Sequence, residues 1–372
     1  MKENDKVVRR GKVSLDVAPQ EKKELAVNVS GLKAKVGTEY FVNFSVTTLE
    51  SEPLVPKGYE IAHEQFRLPI DPASRSFSVQ GPALQCSENG NLLSVQSSRV
   101  AFVFDKSTGL VTSYKVKGTE YFHEGFGIQP NFWRAPNDND YGSQMPKRLQ
   151  IWKQSSKNFN VVDASLTMDG KDAVLKVSYL LAAGNLYIAT YRIHPSGVVK
   201  ANYTFTSTEM EAAKTEASEA TLMATFTPGN EAIRKESSKL VVPRIGVRFR
   251  LPAEMEQVTY FGRGPEENYC DRNNGTLVGE YQATAEQMYF PYVRPQENGH
   301  HTDTRWLMLK KKNGKGLAVY ADGTLEFNSL RNSIEDFDGE EATHRDYQWG
   351  NRDAEELKHD VSTAKNIKPR HT

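Results

Sequence analysis

Three stretches of this chain crowd hydrogen-bonding side chains into places where the surrounding strand rhythm breaks. The first runs Pro130-Asn-Phe-Trp-Arg-Ala-Pro-Asn-Asp-Asn-Asp-Tyr-Gly142. Trp133 offers a flat apolar face suited to sugar C–H groups, and Arg134, Asn137, Asp138 and Asp140 could bond hydroxyls. Asn and Asp also bond nearby backbone and favour turns, so the same residues read equally as a rigid loop held by its own side chains. A metal at Asp138 and Asp140 is disfavoured, because hard cations want more oxygen ligands at once. The second stretch is Tyr260-Phe-Gly-Arg-Gly-Pro-Glu-Glu-Asn-Tyr-Cys-Asp-Arg272. Gly262 and Gly264 permit a tight turn, but no Lys-Ser/Thr pair follows as a phosphate loop demands. Arg263 with Glu266 or Glu267 reads as an ion pair fixing this loop, with Asn268 and Asp271 as further loop-structuring groups. The third is Pro291-Tyr-Val-Arg-Pro-Gln-Glu-Asn-Gly-His-His-Thr-Asp303. Gln296, Glu297 and Asn298 gather hydrogen-bonding groups before a permissive Gly299. Adjacent His300 and His301 point to opposite sides of a strand and make a poor chelating pair, although either could serve as a base for sugar-ring opening.

The elements that must position these loops are strands. Alternation with period two, the mark of half-buried strands, dominates. Val42, Phe44 and Val46 share one face, as do Val100, Phe102 and Phe104. The longest run is a meander. Leu175, Val177 and Tyr179 alternate, Gly184-Asn185 turns the chain, and Tyr187, Ala189, Tyr191 and Ile193 return. Pro195-Ser-Gly197 turns it again before Val199, Ala201, Tyr203 and Phe205. Ile245, Val247, Phe249 and Leu251 alternate with arginines, and Lys312-Asn313-Gly314 carries the Asn-Gly hairpin signal. One stretch, 209–224, has helical composition. Evenly spaced strands with Gly, Pro and Asn punctuation predict an all-β protein built of sandwiches. A boundary fits near 70–84, where Pro69, Pro72, Gly81 and Pro82 interrupt the pattern.

Composition narrows the partners. Lys+Arg and Asp+Glu both number 47 in 372 residues, a formal net charge of zero. That balance excludes a strongly basic surface of the kind that binds nucleic acid or an anionic membrane. The run KKKNGK at 310–315 reads as a solvated hairpin tip. Cys86 and Cys270 supply neither a disulfide framework nor zinc spacing. The amino terminus is polar, without the apolar core of a signal peptide. No stretch approaches the ~20 apolar residues of a membrane-spanning helix. A soluble protein is expected, in the cytoplasm, with a periplasmic parent as the alternative.

Taken together, FWRAPNDNDYG (132–142), YFGRGPEENYCDR (260–272) and MYFPYVRPQENGHHTDTRWL (288–307) resemble the small-chain region of β-galactosidases in family 2 of the glycoside hydrolases. VSLDVAPQEKKEL (13–25) and YEIAHEQFRL (59–68) are similar to that family's second immunoglobulin-like domain. The resemblance implies a partial immunoglobulin-like sandwich over 1–72, a linker over 73–84 and a galactose-mutarotase-like supersandwich over 85–372. It implies that the catalytic barrel, with both of the family's catalytic glutamates, lies outside this chain, so no catalytic residue is expected here. The amino terminus is expected to begin inside the first of these domains. The carboxy terminus is expected to stop before the family's sugar-stacking Trp. Gln296, Glu297 and Asn298 are expected to position substrate near the barrel mouth, alongside the residues of the first stretch.

The partners that the resemblance implies are the barrel-containing part of a β-galactosidase, a galactoside substrate and a possible homo-oligomer. No cofactor is expected in this chain. The magnesium and sodium of the intact family enzyme are expected in regions absent here. The alternatives are a non-catalytic galactoside-binding or structural module and a mutarotase-like epimerase.

Overall fold

The computed structural model describes residues 1–73, 75–181, 184–206, 241–293 and 296–338. The helix expected over 209–224 lies outside the described residues. The first sheet is antiparallel and joins β1 (Lys2–Glu3), β2 (Lys6–Val7), β3 (Tyr40–Thr47) and β4 (Glu60–Arg67) in the order β2-β1-β3-β4. Residues 8–35 between them carry no strand. Next comes a five-stranded meander of β5 (Gln85–Asn89), β6 (Leu92–Gln96), β7 (Val100–Asp105), β8 (Leu110–Val116) and β9 (Thr119–Glu120). The short β10 (Gln129–Asn131) leads into three helical turns, α1 (Asp138–Gly142), α2 (Met145–Arg148) and α3 (Gln150–Ser155).

A second meander follows, of β11 (Asn160–Asp169), β12 (Asp172–Leu180), β13 (Leu186–Ile193) and β14 (Val199–Thr206). Its register pairs Tyr179 with Tyr187 and Tyr187 with Phe205. This is the meander the alternation predicts, and the reason is visible in burial. Along β12 and β13 every second residue is buried, so one face of each strand is committed to a core. That core lies against the β5–β9 meander, where Phe102 meets Tyr191 at 5.7 Å between ring centroids. The Tyr179 hydroxyl crosses to the Gly109 carbonyl at 2.8 Å.

The run of apolar residues at 245–251 yields only a three-residue strand, β15 (Gly246–Arg248), paired with β10. The last sheet orders β17 (Leu277–Thr284), β16 (Gln257–Gly264), β18 (His301–Lys310) and β19 (Gly316–Phe327), all antiparallel. The Asn313-Gly314 signal marks the β18–β19 hairpin as expected, with Gly314 at φ 83°. A second apolar core, with Tyr260, Leu307, Leu309 and Leu330, backs this sheet and includes Phe337 of α4 (Ile334–Phe337). Sheets packed face to face make this an all-β sandwich protein, with no barrel among the described residues.

The first sheet docks on the last through a small third core of Phe41, Phe261 and Val278, with Trp306 against it. Phe41 and Phe261 meet edge to face at 6.4 Å. The Gln65 side chain imitates a strand, accepting from Val278 N at 2.7 Å and donating to Val278 O at 2.9 Å. Glu39, only 8% exposed, accepts from Arg67 Nε at 2.6 Å and from Arg305 on β18. Truncating Phe41 to Ala should therefore cost about 3–5 kcal/mol, as large-to-small core changes do. Urea unfolding of Phe41→Ala checks this, and a midpoint equal to the parent chain's would contradict the docking.

Candidate functional site

Strand β16 runs with its glycines close against neighbours. A Cβ on Gly262 would stand 2.9 Å from the Thr304 Cα, and one on Gly264 would stand 2.9 Å from the Tyr281 ring. Both glycines lie inside the strand, where close packing requires them, so the tight turn expected at these positions is corrected. After Pro265 the chain doubles back along residues 296–302, and Asn268 joins the two. Fully buried, it donates its backbone N–H to His300 O at 2.7 Å and its side-chain amide to Arg263 O and Glu266 O, both at 3.1 Å. Its Oδ1 accepts from Thr302 N at 3.0 Å and Thr302 Oγ1 at 2.6 Å.

The ion pair expected between Arg263 and Glu266 or Glu267 is not formed. Arg263 reaches Asp303 at 2.6 Å and the carbonyls of Thr276 and Asn273, because it lies on β16 facing the start of β18. Glu266 is exposed and contributes its carbonyl oxygen. Among the described residues Asp271 is exposed with no side-chain hydrogen bond, so it does not structure the loop. Arg263 and Asn268 do.

Glu267 and Glu297 come to the same place from the second and third stretches. Glu267 accepts from Arg272 at 2.6 Å, from the Tyr292 hydroxyl and from Gly299 N at 2.6 Å. Gly299 sits at φ 71°, and a Cβ there would meet Met288 O at 2.8 Å, so only glycine presents this N–H. Glu297 accepts from Arg244 at 2.6 Å and Asn328 at 3.3 Å. Between them stands Tyr269. Its ring stacks on His300 at 4.9 Å and 16°, and the Arg272 guanidinium covers it at 4.7 Å. Burial, then the negative charges of Glu297 and Glu267, push its phenol far above the usual range, so it stays a donor. His300 bonds Glu326 through Nε2 at 2.9 Å, a bond that holds the Glu326 carboxyl below its ordinary value.

Three buried atoms here have no hydrogen-bond partner among the described residues: Tyr269 Oη, Asn298 Oδ1 and His300 Nδ1. Asn298 is 2% and His300 6% exposed. Each such group costs about 1–3 kcal/mol if left unpaired. Gln296 is half-buried and gives its carbonyl to Asn298. His301 faces away from His300 and contacts Tyr260, 3.2 Å from the hydroxyl.

The first stretch lies elsewhere in the sandwich. Trp133 is 3% exposed, with its indole N–H bonded to Asp338 at 2.8 Å. No ring face is left for a sugar, which corrects that expectation. Asn137 caps α1 and forms a capping box with Asp140, whose carboxylate also holds Arg134. With both Asp140 oxygens engaged and Asp138 exposed, these residues build the rigid loop rather than a binding lip. Among the described residues no three His, Cys, Asp or Glu side chains gather to hold a metal. No helix among the described residues is long and apolar enough to cross a membrane.

Comparison with known proteins decides the family. Residues 96–365 match the family model for the β-galactosidase small chain. The chain belongs to that family. Residues 1–69 match β-galactosidase domain 4. The β-galactosidase of Priestia megaterium is 30% identical over 333 residues, covering 89% of this chain and 29% of that protein. The β-galactosidase of Streptococcus thermophilus is 26% identical over 363 residues, 96% of this chain and 31% of that one. The β-galactosidase of Kluyveromyces lactis is 28% identical over 283 residues, 74% of this chain and 25% of that one. The chain thus spans under a third of the length of the curated relatives it matches.

In this small-chain member the residues that sequence reasoning missed are Tyr269, His300 as a stacking partner, Arg272, Tyr292 and Arg244. The first four lie inside the quoted stretches. Arg244 carries no local signal and is found only through the fold.

Two predictions follow from this geometry. Asn268→Ala orphans several buried partners at once and should cost about 3 kcal/mol or more, read as a lowered denaturant midpoint. His301 is held down to about 4 by burial. The unfolded chain therefore binds the proton first, and stability falls as pH drops from about 6.5 towards 4. The loss is on the order of 3 kcal/mol. His301→Gln should flatten that slope in denaturation series at stepped pH, and an unchanged slope would contradict it.

Proposed function

We propose that this chain is the carboxy-terminal part of a β-galactosidase, forming one wall of a pocket for terminal β-D-galactosides that are hydrolysed with retention. The observation that carries this reading is the ordered match of both family models on a chain spanning under a third of its relatives. The site supports a wall rather than a reaction centre. Retaining hydrolysis needs a nucleophile and a second carboxyl that donates a proton. Glu267 and Glu297 are both ringed by donors, so each is used as an acceptor. Their work is to fix Arg244, Arg272, Tyr292 and the Gly299 backbone in one geometry. Gln296, Glu297 and Asn298 position substrate in this reading, and the barrel-bearing remainder of the enzyme supplies proton transfer.

A second reading, a galactoside-binding module without catalysis, is favoured by the three unpartnered polar atoms.

Mixing decides between them. The pure chain should not turn over a chromogenic galactoside, and the barrel-bearing remainder of its own enzyme should gain activity when the chain is added. In the reconstituted enzyme Asn298→Ala should raise KM about tenfold and leave the pH profile of kcat unmoved, as lost ground-state binding does. Turnover by the chain alone would sink the proposal, as would a mixture no more active than the remainder.

A further inference from the structure

The pair Asn-Gly occurs four times in the chain, at 89–90, 274–275, 298–299 and 313–314. At each, the chain can react with itself. The glycine nitrogen, once it gives up its proton, can attack the side-chain amide carbon of the asparagine before it. Glycine allows this because it has no Cβ to crowd the approach. The two groups are neighbours in sequence, so the fold decides only which pairs are held back. Asn298 is buried, and the Gly299 N–H is spent on Glu267 at 2.6 Å. The Gly314 N–H is spent on Lys311 O at 2.8 Å, while Asn313 Oδ1 accepts from Lys315 N at 3.1 Å. Asn89 is the last residue of β5, and its backbone is paired with Leu92.

Asn274-Gly275 has none of these restraints. Both residues are exposed, on a turn closed by Thr276 N donating to Asn273 O at 3.1 Å. Among the described residues no protein group takes the Gly275 N–H or the Asn274 side chain, so only solvent competes for them. A Cβ on Gly275 would meet nothing within 4 Å, which leaves room for a ring to close. The ends of the turn are held by one side chain, because Arg263 Nη1 donates to Asn273 O at 3.2 Å and to Thr276 O at 2.7 Å.

We propose that Asn274 is the chain's foremost site of spontaneous deamidation, and that its product loosens the grip of Arg263 on the 273–276 turn. Gly275 N bonds to Asn274 Cγ, the Cγ–Nδ2 bond breaks, and ammonia leaves with the proton, giving a cyclic imide. Water then opens the ring. Attack at Cγ gives aspartate, and attack at the main-chain carbonyl carbon gives isoaspartate. In sum, one water is consumed and one ammonia is released. Isoaspartate carries one extra main-chain carbon between Asn273 O and Thr276 O, so Arg263 can no longer reach both as it does now.

The test ages the full chain in mildly alkaline buffer and maps its peptides by mass spectrometry, with isoaspartyl methyltransferase labelling to tell isoaspartate from aspartate. Asn274 should convert first, at least about tenfold faster than Asn298, which is about 1.4 kcal/mol of barrier. In guanidinium chloride, where no fold protects them, the four sites should convert at similar rates. Gly275→Ala puts a methyl into open space and should slow conversion about tenfold, with a melting temperature level or slightly raised. Asn274→Ser should abolish it. The aged chain should melt about 2 °C or more below the fresh one. Fresh Asn274→Asp, which gains the charge without the extra carbon, should melt like the parent.

Faster conversion at Asn89, Asn298 or Asn313 overturns the assignment, as do four sites that age alike in the native chain or a Gly275→Ala chain that ages like the parent. Conversion at Asn274 with no fall in melting temperature overturns the link to Arg263, as does a fresh Asn274→Asp chain that melts as low as the aged one.

Discussion

A carboxamide sealed from solvent must find partners for both its oxygen and its nitrogen, and at Asn268 that requirement fixes two distant pieces of chain to each other. Its backbone and side chain together reach Arg263, Glu266, His300 and Thr302. Once 263–268 and 300–302 are tied at this point, the neighbours have little freedom. Glu267 is delivered to Gly299, and Tyr269 is delivered to the His300 ring. The polar cluster is therefore a consequence of satisfying one buried amide, and strands β16 and β18 are the frame that makes the satisfaction possible.

How much of this is legible beforehand depends on the range of the interaction. The β12–β13 meander and the β18–β19 hairpin rest on period-two alternation and on turn residues a few positions away, so they read directly from Leu175–Ile193 and from Asn313-Gly314. The polar stretches stand out because they break that period. Their internal geometry does not read in the same way. Arg263 chooses Asp303, forty positions on, over two glutamates in its own loop, because the partner is set by strand pairing and not by proximity in sequence. Trp133 has the composition of a sugar platform and the position of a core residue, and only the packing of α3 and Asp338 around it tells the two apart. Gly262 and Gly264 look like turn residues, yet they admit Thr304 and Tyr281 against a strand.

Charge distribution adds a constraint of its own. Buried carboxylates persist when paired and hydrogen-bonded, and Glu267 and Glu297 each have an arginine plus further donors. Such an arrangement is stiff. It holds Arg244, Arg272, Tyr292 and the Gly299 backbone in one geometry.

Strand β18 links this polar cluster to the first sheet. At its start His301 and Thr302 anchor the polar cluster through Tyr260 and Asn268, and four residues later Arg305 and Trp306 meet Glu39, Phe41 and Phe261 of the docking contact. Side chains alternate along a strand, so the same short segment serves both contacts from a single backbone. Arg305 holds Glu39 of the first sheet, and two residues before it Asp303, at φ 52°, holds Arg263. The docking contact and the polar cluster thus share one strand, and the first sheet, with Ile61 and Phe66 exposed on β4, is held there by a buried carboxylate between two arginines beside the small Phe41–Phe261–Val278 core.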